Sequence, residues 1–384
     1  MNKAKILFVV ADFFQGGAER YAYEVDKALN KDKYQISILC LNAKQNPNPN
    51  WNRYYDKKHL ELGTEIIYFD AFLLKSSKSI ATRIVRKFLK NYHPTDYKKD
   101  ILVAFLSGYD IIHWMGEYTF YKDLPDFIIR KSFINSMSAR FQNPDIYKSF
   151  DFEYPYNFIS SFSGNEYDYE FSQFQNINHR FFPLVLSADR KENQWEFEDN
   201  SIKKIGIFTR LDKYKPLDPF FYSFHLLLER IPNCELHIFG NGNPEIEGMN
   251  RYLRNLKLID KVFFRGHQQN IVETVLNEHI DLCWFQGYNN DRPAGYAGFD
   301  ICSTGTPLLC WDFFEASKKE INPVYPHYKS LTKLVNKSVE ILSNPEKAMV
   351  LSQLQFEDVK NRDVYGKIPL LERIYDEELN KTGC

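Results

Sequence analysis

The sequence predicts an α/β protein made of two consecutive parallel-sheet domains. Three observations predict it. Short apolar or β-branched runs, such as KILFVVA near the start and KIGIFT at Lys204–Thr209, end in Gly, Asn, Asp or charged residues, as buried parallel strands do. Segments of helical period lie between these runs. The pattern then restarts after Arg190–Ser201 (RKENQWEFEDNS), a polar stretch that reads as a linker with the boundary near residue 195.

In the first half, Lys5–Ala11 is the first strand and DFFQGG (Asp12–Gly17) its loop. The next segment is a helix, because Ala18, Tyr21, Ala22, Val25 and Leu29 share one face. Strand, Gly-Gly loop, helix is an arrangement that suits an anion: the first N–H groups of a helix are unpaired and its dipole is positive there. A plain loop is the commoner meaning of Gly-Gly. Gln35–Leu41, Glu65–Phe69, Tyr109–Trp114, Lys131–Asn135, Asn157–Ser161 and Arg180–Leu186 read as further strands. Asn42–Asn52 is a surface loop, rich in Pro and Asn. Ser76–Tyr92 reads as an amphipathic helix, apolar at Ile80, Ile84, Val85, Phe88 and Leu89 and basic at Arg83, Arg86, Lys87 and Lys90. Such a helix can lie on an anionic membrane surface or be an ordinary domain helix with a solvated basic face.

In the second half, Lys204–Thr209, Glu235–Phe239, Val262–Phe264, Ile280–Phe285 and Pro307–Cys310 are strands. Asp218-Pro219 opens a helix that Pro232 ends. Glu245–Leu258, Asn270–Glu278, Ala294–Ser303, Lys329–Leu342, Pro345–Lys360 and the terminal Ile368–Leu379 are helical.

The 384 residues suffice for about two or three domains. Their 44% hydrophobic and 26% charged content fits an ordinary globular chain, and a net charge of −1 gives no reason to expect a nucleic-acid partner. The six cysteines (Cys40, Cys234, Cys283, Cys302, Cys310 and Cys384) form no C-x-x-C pair, so reduced thiols are expected rather than a disulfide or metal set. KILFVVA is too short for a signal peptide and there is no apolar run of about eighteen residues, so a cytoplasmic chain is expected.

Ligands of open parallel sheets bind at the carboxyl ends of the strands. Arg210 and Lys215 follow the first strand of the second half. Together they suit a diphosphate: Arg grips phosphate oxygens in pairs and Lys adds a point charge. The alternative is a basic loop. Gly295 and Gly298 allow close backbone approach, and Asp300 could hydrogen-bond vicinal hydroxyls or simply be an acid favoured near a helix start. His113 ends a strand; it could be a hydrogen-bonding or acid/base group, or a satisfied structural histidine.

Taken in order, the strand before Arg210-Leu211, FGNGNP, VFFRGH, IDLCWF and the Gly-rich turn with an acid before GTP resemble glycosyltransferase family 4, as do GGAER and DIIHW in the first half. The resemblance spans nearly the whole chain and is densest from Lys204 to Pro307. It implies a GT-B fold of two Rossmann-like domains with parallel sheets facing a central cleft. Residues 1–195 would form the acceptor domain, 196–360 the nucleotide-sugar donor domain, and 361–384 a helix returning to the first. It also implies sugar transfer with retention and without an essential metal or cofactor, from a UDP- or GDP-linked donor to a glycan or lipid-linked glycan acceptor.

Carried over by position, Arg210 and Lys215 take the donor-phosphate places and His113 the place beside the donor sugar. Gly16 and Gly17 match the first-domain phosphate loop. Gly295, Tyr296 and Ala297 match the amides near the donor, and Asp300 the ribose-binding acid. Gly240, Gly266 and His267 would lie near the base, and Glu117 on the acceptor side. The sequence departs from the family at three of these places. Arg292 stands where the motif has its first Glu, Pro216 follows Lys215 in place of Gly, and Asp300 replaces the second Glu. Arg292 could pair with a sugar carboxylate, as in a uronic acid, or face solvent. The reading from sequence is a hexosyltransferase of surface polysaccharide or glycoconjugate synthesis, cytoplasmic and peripheral to the membrane. A non-catalytic homologue that binds a partner or a glycan is the alternative. A dinucleotide oxidoreductase is disfavoured because QGGAER lacks G-x-G-x-x-G.

Overall fold

The computed structural model describes residues 3–42, 53–69, 94–121, 123–136, 150–161, 174–188, 192–199, 202–211, 216–246, 248–287, 295–312 and 323–382. The basic segment 76–92, Lys215, Arg292 and Cys384 lie outside them. The chain divides into two compact units, Met1–Ser187 with Arg362–Cys384, and Ala188–Asn361.

Seven strands form the sheet of the first unit: β1 (Ala4–Val10), β2 (Tyr34–Cys40), β3 (Glu65–Tyr68), β4 (Ile111–Trp114), β5 (Ser132–Ser136), β6 (Asn157–Ser160) and β7 (Asn178–Phe181). Their order is β3-β2-β1-β4-β5-β6-β7 and every pairing is parallel. Ile6 to Val9 are fully buried, which is why β1 carries no polar alternation. The last strand lies earlier than Arg180–Leu186; Phe182 and Val185 are buried but leave the ladder, and Leu186 instead bridges to Asp363.

Two helices, Tyr55–Glu61 and Pro94–Leu106, were not legible in the sequence. The first is clamped to the Gly17–Ala28 helix through a buried cluster. His59 Nδ1 lies 2.6 Å from Asp26 Oδ2, Thr64 donates its hydroxyl to the same oxygen at 2.8 Å, and Lys31 pairs with Asp26. Burial alone would raise the Asp26 pKa, but these partners more than offset it and the carboxyl is held below its usual range.

The terminal helix, Val364–Thr382, belongs to the first unit. Leu371 and Tyr375 are fully buried there. The Tyr34 hydroxyl donates to Asp376 Oδ1 at 2.8 Å, and the Asn30 amide donates to Glu372 Oε1 at 2.9 Å. Inside the core, the Tyr375 hydroxyl meets His113 Nδ1 at 2.6 Å.

The second unit holds β8 (Lys203–Phe208), β9 (Cys234–Phe239), β10 (Val262–Gly266), β11 (Leu282–Gly287), β12 (Leu308–Asp312) and the two-residue β13 (His327–Tyr328). The order is β10-β9-β8-β11-β12-β13, again parallel throughout. One face packs Ile205, Ile207, Leu236 and Ile238 on the helices Asp218–Leu228 and Leu331–Ser343. Trp284 stacks on Phe220 and donates its indole N–H to Ser338 Oγ at 2.9 Å.

This unit reaches back to Ala188 because part of the expected linker is packed on it. Trp195 and Phe197 lie against its core, and Asn193 donates to Ser352 Oγ at 2.8 Å. The helix expected over Glu245–Leu258 is confined to Met249–Asn255, since Gly248 is left-handed at φ 70°. The five described cysteines are buried free thiols. No helix among the described residues is long and apolar enough to cross a membrane.

The buried histidine gives a pH signature. Burial pushes the His113 imidazole down to about 3, whereas an unfolded chain returns it to about 6.5. The stability it contributes is therefore complete above pH ~6.5 and is lost as pH falls toward about 3. His113→Gln should make stability fall less steeply with acid over this window, by up to ~1.4 kcal/mol per pH unit. Urea unfolding midpoints measured across that window check it, and an unchanged slope would contradict a neutral buried ring.

Candidate functional site

In the second unit the loops after β8, β9 and β10 are joined backbone to backbone beyond the strands. Thr209 N–H donates to Phe239 O at 2.9 Å, Leu211 N–H to Asn241 O at 2.8 Å, and Gly240 N–H to Gly266 O at 2.8 Å. Under this platform the rings of Phe208 and Phe239 stack at 4.5 Å. Gly240 is required by sterics: a Cβ there would stand 1.7 Å from the Thr209 carbonyl oxygen. Gly266 and Gly295 have positive φ (70° and 84°) with open space beside them, so at these positions the backbone conformation and not packing favours glycine.

Arg210, Gly266, His267 and Gly295 are exposed at the carboxyl edge of this sheet. Tyr296 is buried, while Ala297 and Asp300 are partly exposed on the helix Tyr296–Cys302. The structure therefore brings Arg210, Gly240, Gly266 and His267 to adjacent strand ends, with Gly295 opening the helix after β11. Gln286, which sequence reasoning missed, is buried near the end of β11 and donates to Pro216 O at 3.1 Å. It ties the segment that follows Arg210 to the neighbouring strand at the point where the strand order reverses. A buried Gln after an apolar run (IDLCWFQ) was the available signal.

Arg265, beside Gly266, is held back along the sheet. Its guanidinium lies over the Phe263 ring at 5.1 Å and donates Nε–H to His237 Nδ1 at 3.2 Å. With Nδ1 accepting, Nε2 carries the proton and donates to Glu235 at 3.0 Å. Burial, offset in part by Glu235, lowers the His237 pKa and keeps the ring neutral.

In the first unit the strand order reverses between β1 and β4, and the loops there carry acids. Gly16 caps the Gly17–Ala28 helix, and its carbonyl accepts from Arg20 N–H. The Glu19 carboxylate folds over it: an added Cβ at Gly16 would lie 2.3 Å from Glu19 Oε2. Asp12 hydrogen-bonds Glu19, and its pKa is raised by burial. Glu117 is buried at the start of a short turn, and the Tyr118 ring stands over Gly116 (φ 132°). Partial burial and the charges of Glu19, Glu117 and Asp12 hold the Tyr118 proton more tightly than usual. The helix start expected to face a phosphate thus already has a carboxylate on it, which a phosphate would have to displace.

His113 requires a correction. It does not stand at an open strand end: it is fully buried within β4, edge-on to Phe8 and Tyr375 and hydrogen-bonded to the terminal helix. A ring without access to solvent, neutral to about pH 3, fits the structural role and not a catalytic one. Lys215 and Arg292 lie outside the described residues. Among the described residues no group of three or more His, Cys, Asp or Glu side chains is placed to hold a metal ion.

Comparison with protein-family profiles gives no match, and comparison with curated sequences gives none. Solved structures do match over nearly the whole chain. HepE from Anabaena, in complex with UDP and glucose, is 12% identical with a TM-score of 0.66, over 97% of this chain and 99% of that one. An S. aureus TarM variant, in complex with fondaparinux, α-GlcNAc-glycerol and UDP, is 11% identical with a TM-score of 0.66, again over 97% and 99%. WaaG, a glycosyltransferase involved in lipopolysaccharide biosynthesis, is 12% identical with a TM-score of 0.62, over 97% and 98%. Two Rossmann-like units with parallel sheets of seven and six strands, matched end to end by such structures, define the GT-B fold.

The close backbone approach at Gly240 is directly testable. Gly240→Ala should destabilise the chain by about 1–3 kcal/mol through overpacking against Thr209. Gly266→Ala meets open space and should cost about 1–2 kcal/mol through its left-handed φ alone. Denaturant midpoints compare them, and an unaffected Gly240→Ala would refute the steric requirement.

Proposed function

We propose that the chain is a glycosyltransferase that moves a sugar from a nucleoside-diphosphate sugar to a glycan acceptor. The observation that carries this is the carboxyl edge of the second sheet, where interlocked loops present Arg210 beside Gly240, Gly266 and His267. A guanidinium at this edge suits the diphosphate and would stabilise charge developing on the leaving nucleotide. Lys215 and the Gly295–Ala297 amides would complete that grip, and Asp300 would take the ribose hydroxyls. The resemblance to family 4 supports retention of configuration without an essential metal, with the departing β-phosphate receiving the acceptor proton. The acid-bearing edge of the first unit, with Glu117 and Glu19, suits hydroxyl donors and hence the acceptor. The complexes solved for HepE and TarM, which contain UDP, support a UDP-linked donor.

A thermal-shift panel of UDP-, GDP-, ADP- and CDP-sugars with the matching free nucleotides tests the donor reading. At a hundredfold its dissociation constant, the matching nucleotide should add about 2.7 kcal/mol of stability, and Arg210→Ala should abolish the shift. No shift with any nucleotide would replace this reading with a non-catalytic homologue that binds a partner or a glycan.

The basic segment 76–92 supports a membrane-surface acceptor, because each Lys or Arg near an anionic surface contributes about 1 kcal/mol of attraction. Co-sedimentation with phosphatidylserine liposomes should be strong at low salt and lost as salt rises. Equal recovery with neutral liposomes removes the membrane from the proposal.

A further inference from the structure

At the start of the second unit, Asn193, Trp195 and Phe197 are partly buried, while Glu192, Gln194 and Glu196 between them are exposed. That alternation marks an extended segment with one face laid on the unit. Trp195 and Phe197 pack against the core, and the Lys203 ammonium lies over the Phe197 ring at 4.5 Å. Asn193 Oδ1 accepts the Trp195 backbone N–H at 3.0 Å. An N–H can meet only the oxygen of the carboxamide, so this contact fixes which way the amide points. Its Nδ2 then donates to Ser352 Oγ at 2.8 Å and to Gln353 Oε1 at 3.4 Å, both on the helix Pro345–Lys360.

The same carboxamide explains Gly305. A Cβ at Gly305 would stand 1.7 Å from Asn193 Oδ1 and 2.4 Å from its carboxamide carbon. The φ of 89° favours glycine there as well. The next residue of the strap grips the next residue of the turn: Gln194 N–H donates to Thr304 O at 3.1 Å. Thr304 and Gly305 close the helix Tyr296–Cys302. Thr304 N–H donates to Ile301 O and Gly305 N–H to Cys302 O, each at 3.0 Å. Ser303 Oγ donates to the carbonyl of Asp300 at 2.7 Å. Phe299, Ile301, Cys302 and Thr304 are fully buried. A helix of two turns wedged in a close-packed interior shifts as one piece, so a displacement at its closing turn reaches Asp300, one turn away.

We infer that Asn193 is a positioning residue for Asp300. The strap holds the closing turn against the helix Pro345–Lys360, and that turn sets where the Asp300 carboxylate stands. The part Asp300 plays toward ribose hydroxyls rests on the proposed function. The seating of its helix by Asn193 does not.

NMR of the full chain labelled with ¹⁵N at glycine tests the seating without any ligand. In Asn193→Ala the Gly305 amide should move, because it adjoins the carboxamide. Gly298, inside the helix, should move with it, while Gly240 and Gly266 stay in place. An unmoved Gly298 overturns the inference and leaves Asn193 as packing. Calorimetry with UDP and 2′-deoxy-UDP tests the consequence. Asn193→Ala should weaken the preference for the ribose form severalfold, in the same direction as Asp300→Ala. A wild-type preference kept in Asn193→Ala overturns the positioning role, since lost packing alone would lower stability and leave that ratio unchanged. If the wild type binds neither nucleotide, or both equally, the donor reading of Asp300 fails and the Gly298 shift alone decides. If Asn193→Ala does not fold, Ser352→Ala takes away the acceptor from the other side. It should move Gly305 and Gly298 together, and an unmoved Gly298 again overturns the inference.

Discussion

Every described strand in both units runs parallel to its neighbours, and the remaining architecture follows from that constraint. Parallel strands can only be joined by crossovers, so each strand ends at the same edge as the others and hands the chain to a loop there. Ladder bonding stops at that edge, and exposed backbone groups must be paired some other way. The second unit pairs them between loops: Thr209, Leu211 and Gly240 donate to Phe239, Asn241 and Gly266. The approach is so close that one loop's carbonyl occupies the place of the next loop's side chain, which is why Gly240 is glycine. The rigidity of the edge thus comes from main chain, leaving side chains such as Arg210 to face outward.

The first unit secures its elements with polar pins set in an apolar core. Burying a residue such as Leu371 stabilises by roughly 1.5–3 kcal/mol but fixes no rotation. The hydrogen bonds of Tyr375, Asp376 and Glu372 set the rotation of the terminal helix. Glu24 does similar work where the unit ends, accepting from both the amide and the hydroxyl of Ser187 at 2.9 and 2.6 Å. Buried pins of this kind specify one arrangement because any other leaves a desolvated group without a partner.

The strands of both sheets were legible because buried parallel strands are apolar throughout, and β1, β8 and β9 begin and end within a residue or two of expectation. What escaped was whatever depended on neighbours. Tyr55–Glu61 (YDKKHLE) buries little except Tyr55 and His59, and a buried His59 makes sense only beside Asp26. In Pro94–Leu106 the apolar residues crowd one end and give no helical stripe. β13 has two residues and is a strand only because β12 lies next to it. For His113 the residue pattern marks a strand end but not which face of the sheet the ring takes. All four residues of β4 are buried, so no alternation could report it.

The two edges differ in charge, and that bears on what each can take. The second unit exposes Arg210, Arg265 and His267, with the Arg265 Nε–H also donating to His237. The first gathers Asp12, Glu19 and Glu117 around Gly16 and Gly116. A phosphate brought beside the Glu19 carboxylate would meet like-charge repulsion of about 4 kcal/mol at 4 Å and intermediate dielectric. A helix start contributes about 0.3–1 kcal/mol in favour of an anion, and Glu19 already collects it. Against phosphate stand that repulsion, lessened by the hydrogen bond between Glu19 and Asp12, and the occupied helix start; for it stands Arg53, whose charge acts on Asp12. A hydroxyl-bearing ligand meets no such repulsion, since carboxylates accept hydrogen bonds from hydroxyls at no cost in charge. At the Gly16–Gly17 helix start a ligand meets the Glu19 carboxylate, and at the edge after β8 it meets the Arg210 guanidinium.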